Sequence, residues 1–328
     1  MPWSRVLAFD DPLRYQAAIR GADWEVYPTK RGKFRAELTQ ITMHRLWMQS
    51  FHCELPQIQT GAGAPNRKVI GFLTEARQPA IYYCGHELSQ HDIVVNTDTM
   101  HVRWEGDCRS GGMSLPQEDF DAACQAMTGS QFTLPSCKGV VRPRSDLVMR
   151  LVNLHNTIGT IAKTTPELFE LPEVVRALEQ KSIHLMVRCL TEGAASVTTT
   201  GGQRREAIVA RFEAFLEANP NTPLYLPEIC AAVGTTERTL RVACEEHFGM
   251  GPIRYLALRR MHLVYRALLL ADHRSTNVTR TATDHGFWEL GRFAVAYRAL
   301  FGESPSATLQ RPAGYRPISS NRLSSLAE

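Results

Sequence analysis

The side chains of this sequence best suited to binding a partner are the arginines near its C-terminal end. Residues 204–316 contain 15 arginines and no lysine against 11 aspartates and glutamates, whereas residues 1–203 balance 21 basic against 21 acidic residues. The net charge of +4 therefore lies in the C-terminal part. A guanidinium presents a planar fork of donors that fits a guanine edge or a phosphate, so this placement indicates nucleic-acid recognition. Charge alone is equally typical of a solvated, arginine-rich helical face.

Two helical units are needed to position these arginines. The stretch GFWELGRFAVAYRALFGESPS, residues 286–306, predicts a glycine turn and then an amphipathic helix from Glu289 to Phe301. A short helix over Val278–His285 precedes the turn. Such a helix, turn and second helix is the pattern of a helix-turn-helix, in which the second helix faces a DNA groove.

An earlier unit repeats this arrangement. Leu226–Val233 predicts a supporting helix, Gly234 a turn, and Thr236 the cap of a helix that runs to about Phe248. Pro252 then opens a helix to about Ala271. At 1.5 Å per residue it is roughly 30 Å long, close to the ~34 Å of one DNA turn, so it could hold both units in successive major grooves.

This order of two units joined by one long helix resembles the AraC/XylS family of bacterial transcription regulators. The resemblance covers about the last third of the chain. It implies an all-α, double helix-turn-helix DNA-binding domain over residues 204–316. It also implies that the partner is double-stranded promoter or operator DNA, that activation is the commoner outcome, and that RNA polymerase is a further candidate partner.

Matching the two units to the family gives the expected DNA contacts. Arg241 is the expected bidentate guanine contact, which supplies ~1 to 3 kcal/mol of discrimination; the alternative is a surface ion pair with Glu237 or Glu245. In the second unit, WEL and a glycine replace the small polar residues more common in the family, so only Arg292 can donate to bases there. Trp288 is expected to cover the small core, and the alternative is a contact with the DNA backbone beside the turn. The base-reading positions are Arg238, Arg241, Val242, Leu290, Arg292 and Val295, and the backbone-contacting positions are Thr236 and Arg298.

Short runs of period two dominate residues 24–134 and predict an all-β barrel or sandwich. They are Phe34–Met43, Leu46–Leu55, Val69–Leu73, Ala80–Tyr83, Ile93–Asn96 and Met100–Trp104, with GAGAPN and SQHD as turns. By position this region resembles the cupin-like effector domain that often precedes an AraC-type DNA-binding domain. Its aromatic residues are candidates for a small-molecule effector pocket, and the alternative is plain core. The four candidates are Trp47, Tyr82, Tyr83 and Trp104. Residues 1–22 predict a short helix with no assigned role.

Two helices over residues 145–192 follow the barrel, the first capped by Ser145. Its apolar residues recur in alternating steps of four and three, a narrow seam that suits pairing with another helix. In the family such helices often carry dimerisation, whereas the alternative is that they cover their own barrel. The seam consists of Leu147, Leu151, Leu154, Ile158 and Ile161.

No enzyme motif is complete in this chain. There is no GxSxG, no GKS or GKT phosphate loop, no HExxH and no full GxGxxG. The histidines have no HxH spacing and the eight cysteines lie at least 13 residues apart, so no metal and no cofactor is expected. Neither a secretion signal nor a membrane span is indicated, which predicts a cytoplasmic protein.

The sequence thus predicts an α+β multidomain protein that is not an enzyme. Residues 1–192 would form a cupin-like effector and dimerisation domain, 193–203 a flexible linker, 204–316 the DNA-binding domain and 317–328 a disordered tail. The predicted function is that of a homodimeric, sequence-specific DNA-binding regulator gated by a small-molecule effector. The alternatives are a constitutive regulator whose barrel only dimerises and a metal-dependent cupin enzyme fused to a DNA-binding domain.

Overall fold

The computed structural model describes residues 2–96, 99–129, 139–195, 200–220, 222, 224–272 and 276–311. A β-sheet region forms the N-terminal part and a helical region forms the C-terminal part. The predicted tail and the middle of the predicted linker lie outside the described residues.

The N-terminal region contains two antiparallel sheets. The larger has eight strands in the order β1-β3-β4-β11-β6-β9-β12-β13, and the smaller has five in the order β2-β5-β10-β7-β8. The elements are β1 (Trp3–Phe9), α1 (Pro12–Ala18), β2 (Ala22–Pro28), β3 (Ala36–Thr42), β4 (Trp47–Cys53), β5 (Gln57–Gly63), β6 (Arg67–Leu73), β7 (Ile81–Tyr83), β8 (His86–Glu87), β9 (Ile93–Val95), β10 (Met100–Trp104), β11 (Cys108–Pro116), α2 (Gln117–Thr128), β12 (Val140–Arg142), α3 (Ser145–Thr164), a 3₁₀ helix (Pro166–Glu170), α4 (Pro172–Thr191) and β13 (Ala194–Ala195).

Between the two sheets lies an apolar core, and α2, α3 and α4 pack on the outer face of the larger sheet. A second core lies between these three helices and the larger sheet, and it contains the five-residue seam predicted on α3. Leu147, Leu151 and Ile158 are fully buried there, and the other two seam residues are partly buried. The seam residues thus contact their own chain. Ser145 is the first residue of α3, not its cap, since Arg144 holds the capping position.

Several N-terminal elements differ from the sequence expectations. Residues 3–9 form an edge strand, and β2, β5 and β11 also lie outside the predicted runs. The GAGAPN turn is wrong in its first half, because Gly61 to Gly63 pair with β2 as the end of β5. A sheet partner supplies the hydrogen bonds that a glycine-rich stretch would otherwise give to water.

The C-terminal region contains α5 (Thr200–Ala218), α6 (Leu226–Val233), α7 (Glu237–Phe248), α8 (Pro252–Leu270), α9 (Val278–Asp284), α10 (Leu290–Phe301) and α11 (Pro305–Leu309). Thr200 is the first residue of α5, so residues 200–203 belong to a helix and not to the flexible linker predicted over residues 193–203. Glycines 201 and 202 lie in its first turn. The backbone N–H groups of a first turn have no intrahelical acceptor, so these glycines interrupt no hydrogen bond of the helix interior. None of the helices in the described part of the chain is both long and apolar enough to cross a membrane.

The sheet region packs directly against the helical region. Tyr27 and Ile58 join the core formed by α5, α6 and α7 with the first half of α8. Leu13, from α1, joins the core formed by the second half of α8 with α9, α10 and α11. Residues of the sheet region therefore contact both halves of the helical region.

Candidate nucleic-acid interface

The first helical pair is fixed by capping and by one glycine. The carboxylate of Glu228 accepts a hydrogen bond from the Tyr225 N–H at 3.0 Å at the start of α6. Gly234 ends α6 with φ of +68°, a conformation that favours glycine. The Thr236 hydroxyl then accepts from the Thr239 N–H at 3.3 Å and starts α7. The chain therefore turns sharply and α7 leaves α6 in a fixed direction.

One side of α7 is buried and the other is open. Leu240, Ala243 and Cys244 pack into the core shared with α5. On the opposite side Arg238, Arg241 and Val242 are all exposed, with Val242 46 % exposed. The helical period of 3.6 residues separates the two sets, as the sequence predicts.

Arg241 has an intrahelical partner in the free protein. Its Nη2 lies 3.0 Å from Oε1 of Glu237, one turn earlier. The sequence analysis gave this pair as the alternative to DNA contact. Both side chains are exposed, and such a pair contributes at most about 1 kcal/mol, so it leaves the guanidinium available to a stronger acceptor.

The second helical pair follows the same plan. Asn277 caps α9 by accepting from the Arg280 N–H at 2.8 Å. Gly286 turns the chain with φ of +81°, and the Phe287 N–H donates to the Ala282 carbonyl at 3.0 Å. Phe293 and Tyr297 then bury one side of α10.

The open side of α10 is unusually apolar. Val295 is 72 % exposed, and Leu290 is also exposed. Arg292 pairs with Glu289 at 2.8 Å, and Arg298 is exposed further along the helix. Trp288 is 67 % exposed, so its expected place over the core is wrong. Phe287 fills that place instead, with its ring centroid 5.0 Å from that of Phe293.

Comparison with known proteins finds likenesses in this part of the chain. A family model described as a helix-turn-helix domain matches residues 229–311. Over 229 residues the chain is 26 % identical to the XylDLEGF operon transcriptional activator 3 of Pseudomonas putida, covering 67 % of this chain and 64 % of that protein. The chain is thus similar to transcription regulators of the AraC/XylS type, and the matched helix-turn-helix domain contains these helices.

Two further comparisons describe the extent of the likeness. The chain is 38 % identical over 96 residues to the probable thc operon regulatory protein of Rhodococcus erythropolis, which is 29 % of each chain. Among solved structures it is similar to the AraC-like transcriptional activator CuxR, with a TM-score of 0.40, 17 % identity, and coverage of 80 % of this chain and 94 % of the other. The chain thus spans less than two thirds of the length of both curated relatives.

A cavity of about 120 Å³ lies between the two sheets of the N-terminal region. Its wall is mainly apolar and includes Trp24, Phe51 and Phe72, with the side-chain amides of Gln49 and Gln59 as polar groups. Its volume is of the order that accommodates one benzene-sized molecule.

Two of the four predicted pocket aromatics line this cavity, namely Tyr83 and Trp104. Tyr82 does not, because successive side chains of a strand point to opposite faces; its ring lies under the Arg103 guanidinium at 3.8 Å. Trp47 does not either, since its ring is held between Arg20 at 3.7 Å and Arg67 at 3.5 Å. Trp24 lines the cavity but was not among the predicted aromatic residues, and the alternation of β2 was the available signal.

Proposed function

We propose that this protein is a sequence-specific DNA-binding transcription regulator, and an activator, with residues 204–316 as its DNA-binding domain. Its two helix-turn-helix units would read one duplex, with α7 and α10 as the recognition helices. The observation that carries this proposal is the outward face of those two helices. Arg238, Arg241 and Arg292 are exposed there, on helices whose opposite faces are buried.

The two units would read bases by different chemistry. Arg238 and Arg241 supply hydrogen-bond donors for guanine, and Val242 adds a methyl contact. On α10, Leu290 and Val295 suit thymine methyl groups, while Arg292 supplies the donor. Thr236 and Arg298 would fix orientation through phosphates. We therefore expect the first unit to prefer guanine and the second to prefer thymine-rich sequence.

We propose that residues 1–192 form a cupin-like sensing domain whose apolar cavity admits a small effector. The contacts of Tyr27, Ile58 and Leu13 with the helical region give a physical route for gating, because a change between the sheets would alter how the two units are held. A ligand shifts such an equilibrium only through a difference in its affinity for the two states.

A homodimer and contact with RNA polymerase complete the proposal. The α3 seam is occupied within the chain, so a dimer contact through this helix would use its outer face, where Met149 is 59 % exposed. Dimerisation would place four reading helices on one operator and raise affinity by linkage.

Selection from a pool of random-sequence duplexes tests the DNA-binding function. The purified full chain is expected to enrich one motif, with guanine prominent in one part and thymine in another. Enrichment that tracks only base composition, and that disappears at 200 mM salt, would show phosphate binding without sequence recognition and overturn the proposal.

A further inference from the structure

A second cavity, of about 650 Å³, opens between the sheet region and the helical region. Its walls come from α1, β2, β5 and β10 on one side and from α5 and α8 on the other. This volume is within the ~300–1,000 Å³ typical of small-molecule sites. It is separate from the apolar cavity between the sheets: of its lining residues only Trp24 borders both.

The charged groups in this interdomain cleft are mostly acidic. Four carboxylates line it against two guanidiniums; they are Asp23, Glu25, Glu213 and Glu217, with Arg259 and Arg266. Arg259 lies 4.0 Å from Glu25, and its charge also acts on Glu213. The four carboxylates thus outnumber the two guanidiniums.

Glu213 is a buried carboxyl with an unmet hydrogen-bonding need. Its side chain is only 3 % exposed, and among the described residues its Oε1 has no hydrogen-bond partner. A ligand that donates a hydrogen bond to this oxygen would satisfy a group that burial keeps from water. Glu217, one turn further along α5, is exposed and lines the same cleft. The two carboxylates lie on one face of the helix.

We propose that this cleft binds a small organic cation, with an ammonium or guanidinium group donating to Oε1 of Glu213 and to the Glu217 carboxylate. An organic cation is favoured over a metal ion because the described residues contain no group of three or more histidine, cysteine or carboxylate side chains that could hold one. The walls come from both regions, so the bound cation would tie them together. The binding itself does not depend on the proposed recognition of DNA.

Burial supports this assignment by raising the pKa of Glu213 to about 7, with the charge of Arg259 opposing the rise. A cation that pairs with the ionised form displaces the proton, so binding near pH 7 should release about half a proton. The groups that face Glu213 come from α5, α8 and β2; they are Glu217, Arg259, Tyr255 and Glu25.

Calorimetric titration of the full chain with four-carbon probes tests the proposal. The probes are butane-1,4-diamine, butylamine, 4-aminobutyrate and butyrate, which share a chain length and differ in charge. We expect butane-1,4-diamine and butylamine to bind, 4-aminobutyrate to bind more weakly than butylamine because the cleft is mostly acidic, and butyrate not to bind. Glu213→Gln should weaken diamine binding at least tenfold, Glu217→Gln about threefold, and the exposed Glu245→Gln on α7 not at all.

Three results would overturn the proposal. They are butyrate binding as tightly as the diamine, unchanged diamine affinity in both cleft variants, and no detectable binding of any amine at ligand concentrations up to the millimolar range. Glu217→Gln lies on the surface and keeps the test valid if Glu213→Gln fails to fold. Because the titration needs no DNA, its failure and that of sequence-specific DNA binding are seen separately.

Discussion

Arg241 and Arg292 each hold an ion pair that DNA must replace. Their partners, Glu237 and Glu289, are exposed, so breaking either pair costs at most about 1 kcal/mol. A bidentate guanine contact supplies ~1 to 3 kcal/mol of discrimination. At a cognate site each guanidinium is therefore expected to leave its carboxylate and bind the base.

Replacing Arg241 should separate base reading from general attraction to DNA. Arg241→Ala is expected to weaken binding to the selected motif by about 5- to 150-fold while leaving binding to scrambled duplex nearly unchanged. Arg280→Ala is the matched control, since Arg280 also pairs with a carboxylate one turn away but lies on the supporting helix α9. Binding titrations on both duplexes measure the effect. Equal losses on the two duplexes would identify a phosphate contact.

Glu213 should make the stability of the protein depend on pH. Burial raises the pKa of Glu213 to about 7 from its usual 4.5. Between these values the folded chain keeps a proton that the unfolded chain has lost, so the free energy of unfolding falls as pH rises to about 7 and this contribution is constant above it. Glu213→Gln lacks this titration, so its free energy of unfolding should rise relative to that of the wild type by roughly 3 kcal/mol between pH 4.5 and pH 8.

Urea unfolding of both proteins at several pH values checks this expectation. Buried histidines titrate in both proteins alike, for example His101 with its pKa lowered to about 4 by burial, so the difference between the two curves isolates Glu213. A difference that does not change with pH would contradict the raised pKa.

At the level of single residues, the sequence was informative where helical period decides exposure. The period placed Arg241 outward on α7, and matching to the family gave Val295 as an outward residue of α10. It could not place Trp288, because Phe287 beside it competes for the same core and only three-dimensional packing decides between them. It also could not separate Tyr83 from Tyr82 without the register of β7, which is set by pairing with β10.

The turn of the first helix-turn-helix pair depends on backbone conformation more than on space. Gly234 has φ of +68°, and a Cβ there would meet no atom within 4 Å. Gly234→Ala should therefore lower the free energy of unfolding by about 1–2 kcal/mol through strain alone. Gly291→Ala is the control, because a Cβ there is equally free of contacts and φ is ordinary. It should be neutral or stabilising by up to about 1 kcal/mol. Equal effects in the two variants would show that strain at Gly234 is unimportant.

At the level of elements, helices were predicted closely and strands less so. Residues 226–233 and 252–270 carry a cap or a proline at the start and a clear apolar period, and their helices lie within one residue of expectation. Strand β11 was not predicted, because Gly111 and Gly112 interrupt its alternation of apolar and polar residues. The structure explains them: a Cβ on Gly111 would lie 2.6 Å from the Phe72 ring and 2.8 Å from the His155 ring. The glycine lets α3 approach the sheet, a requirement that only the tertiary contact reveals.

At the level of the whole molecule, the first twenty residues have a part that the sequence did not indicate. The Asp11 carboxylate caps α1 by accepting from the Leu13 N–H at 2.9 Å, and its other oxygen accepts from the Tyr265 hydroxyl at 3.0 Å. The ring nitrogen Nε2 of His262 similarly donates to the Pro28 carbonyl at 3.1 Å. A cap motif predicts a helix start, but no local pattern predicts which distant helix contacts it.

The Tyr265 bond should stabilise the closed arrangement of the two regions. Tyr265→Phe removes a donor to a buried carboxylate and is expected to lower the free energy of unfolding by about 1.5–3 kcal/mol. Tyr225→Phe, which changes an exposed tyrosine, should have no effect. Thermal and urea unfolding of the full chain measure both. If Tyr265→Phe has the same free energy of unfolding as the wild type, the hydrogen bond to Asp11 does not stabilise the fold.

The central claim is that α7 and α10 read two segments of one duplex, about one helical turn apart. Parallel selections from random-sequence duplexes with the wild type, Arg241→Ala and Arg292→Ala test it directly. The expected result is that each variant loses base preference in one segment only, and that the two affected segments are centred about 10–11 base pairs apart. Loss at the same positions in both variants, or no change in either, would contradict the account.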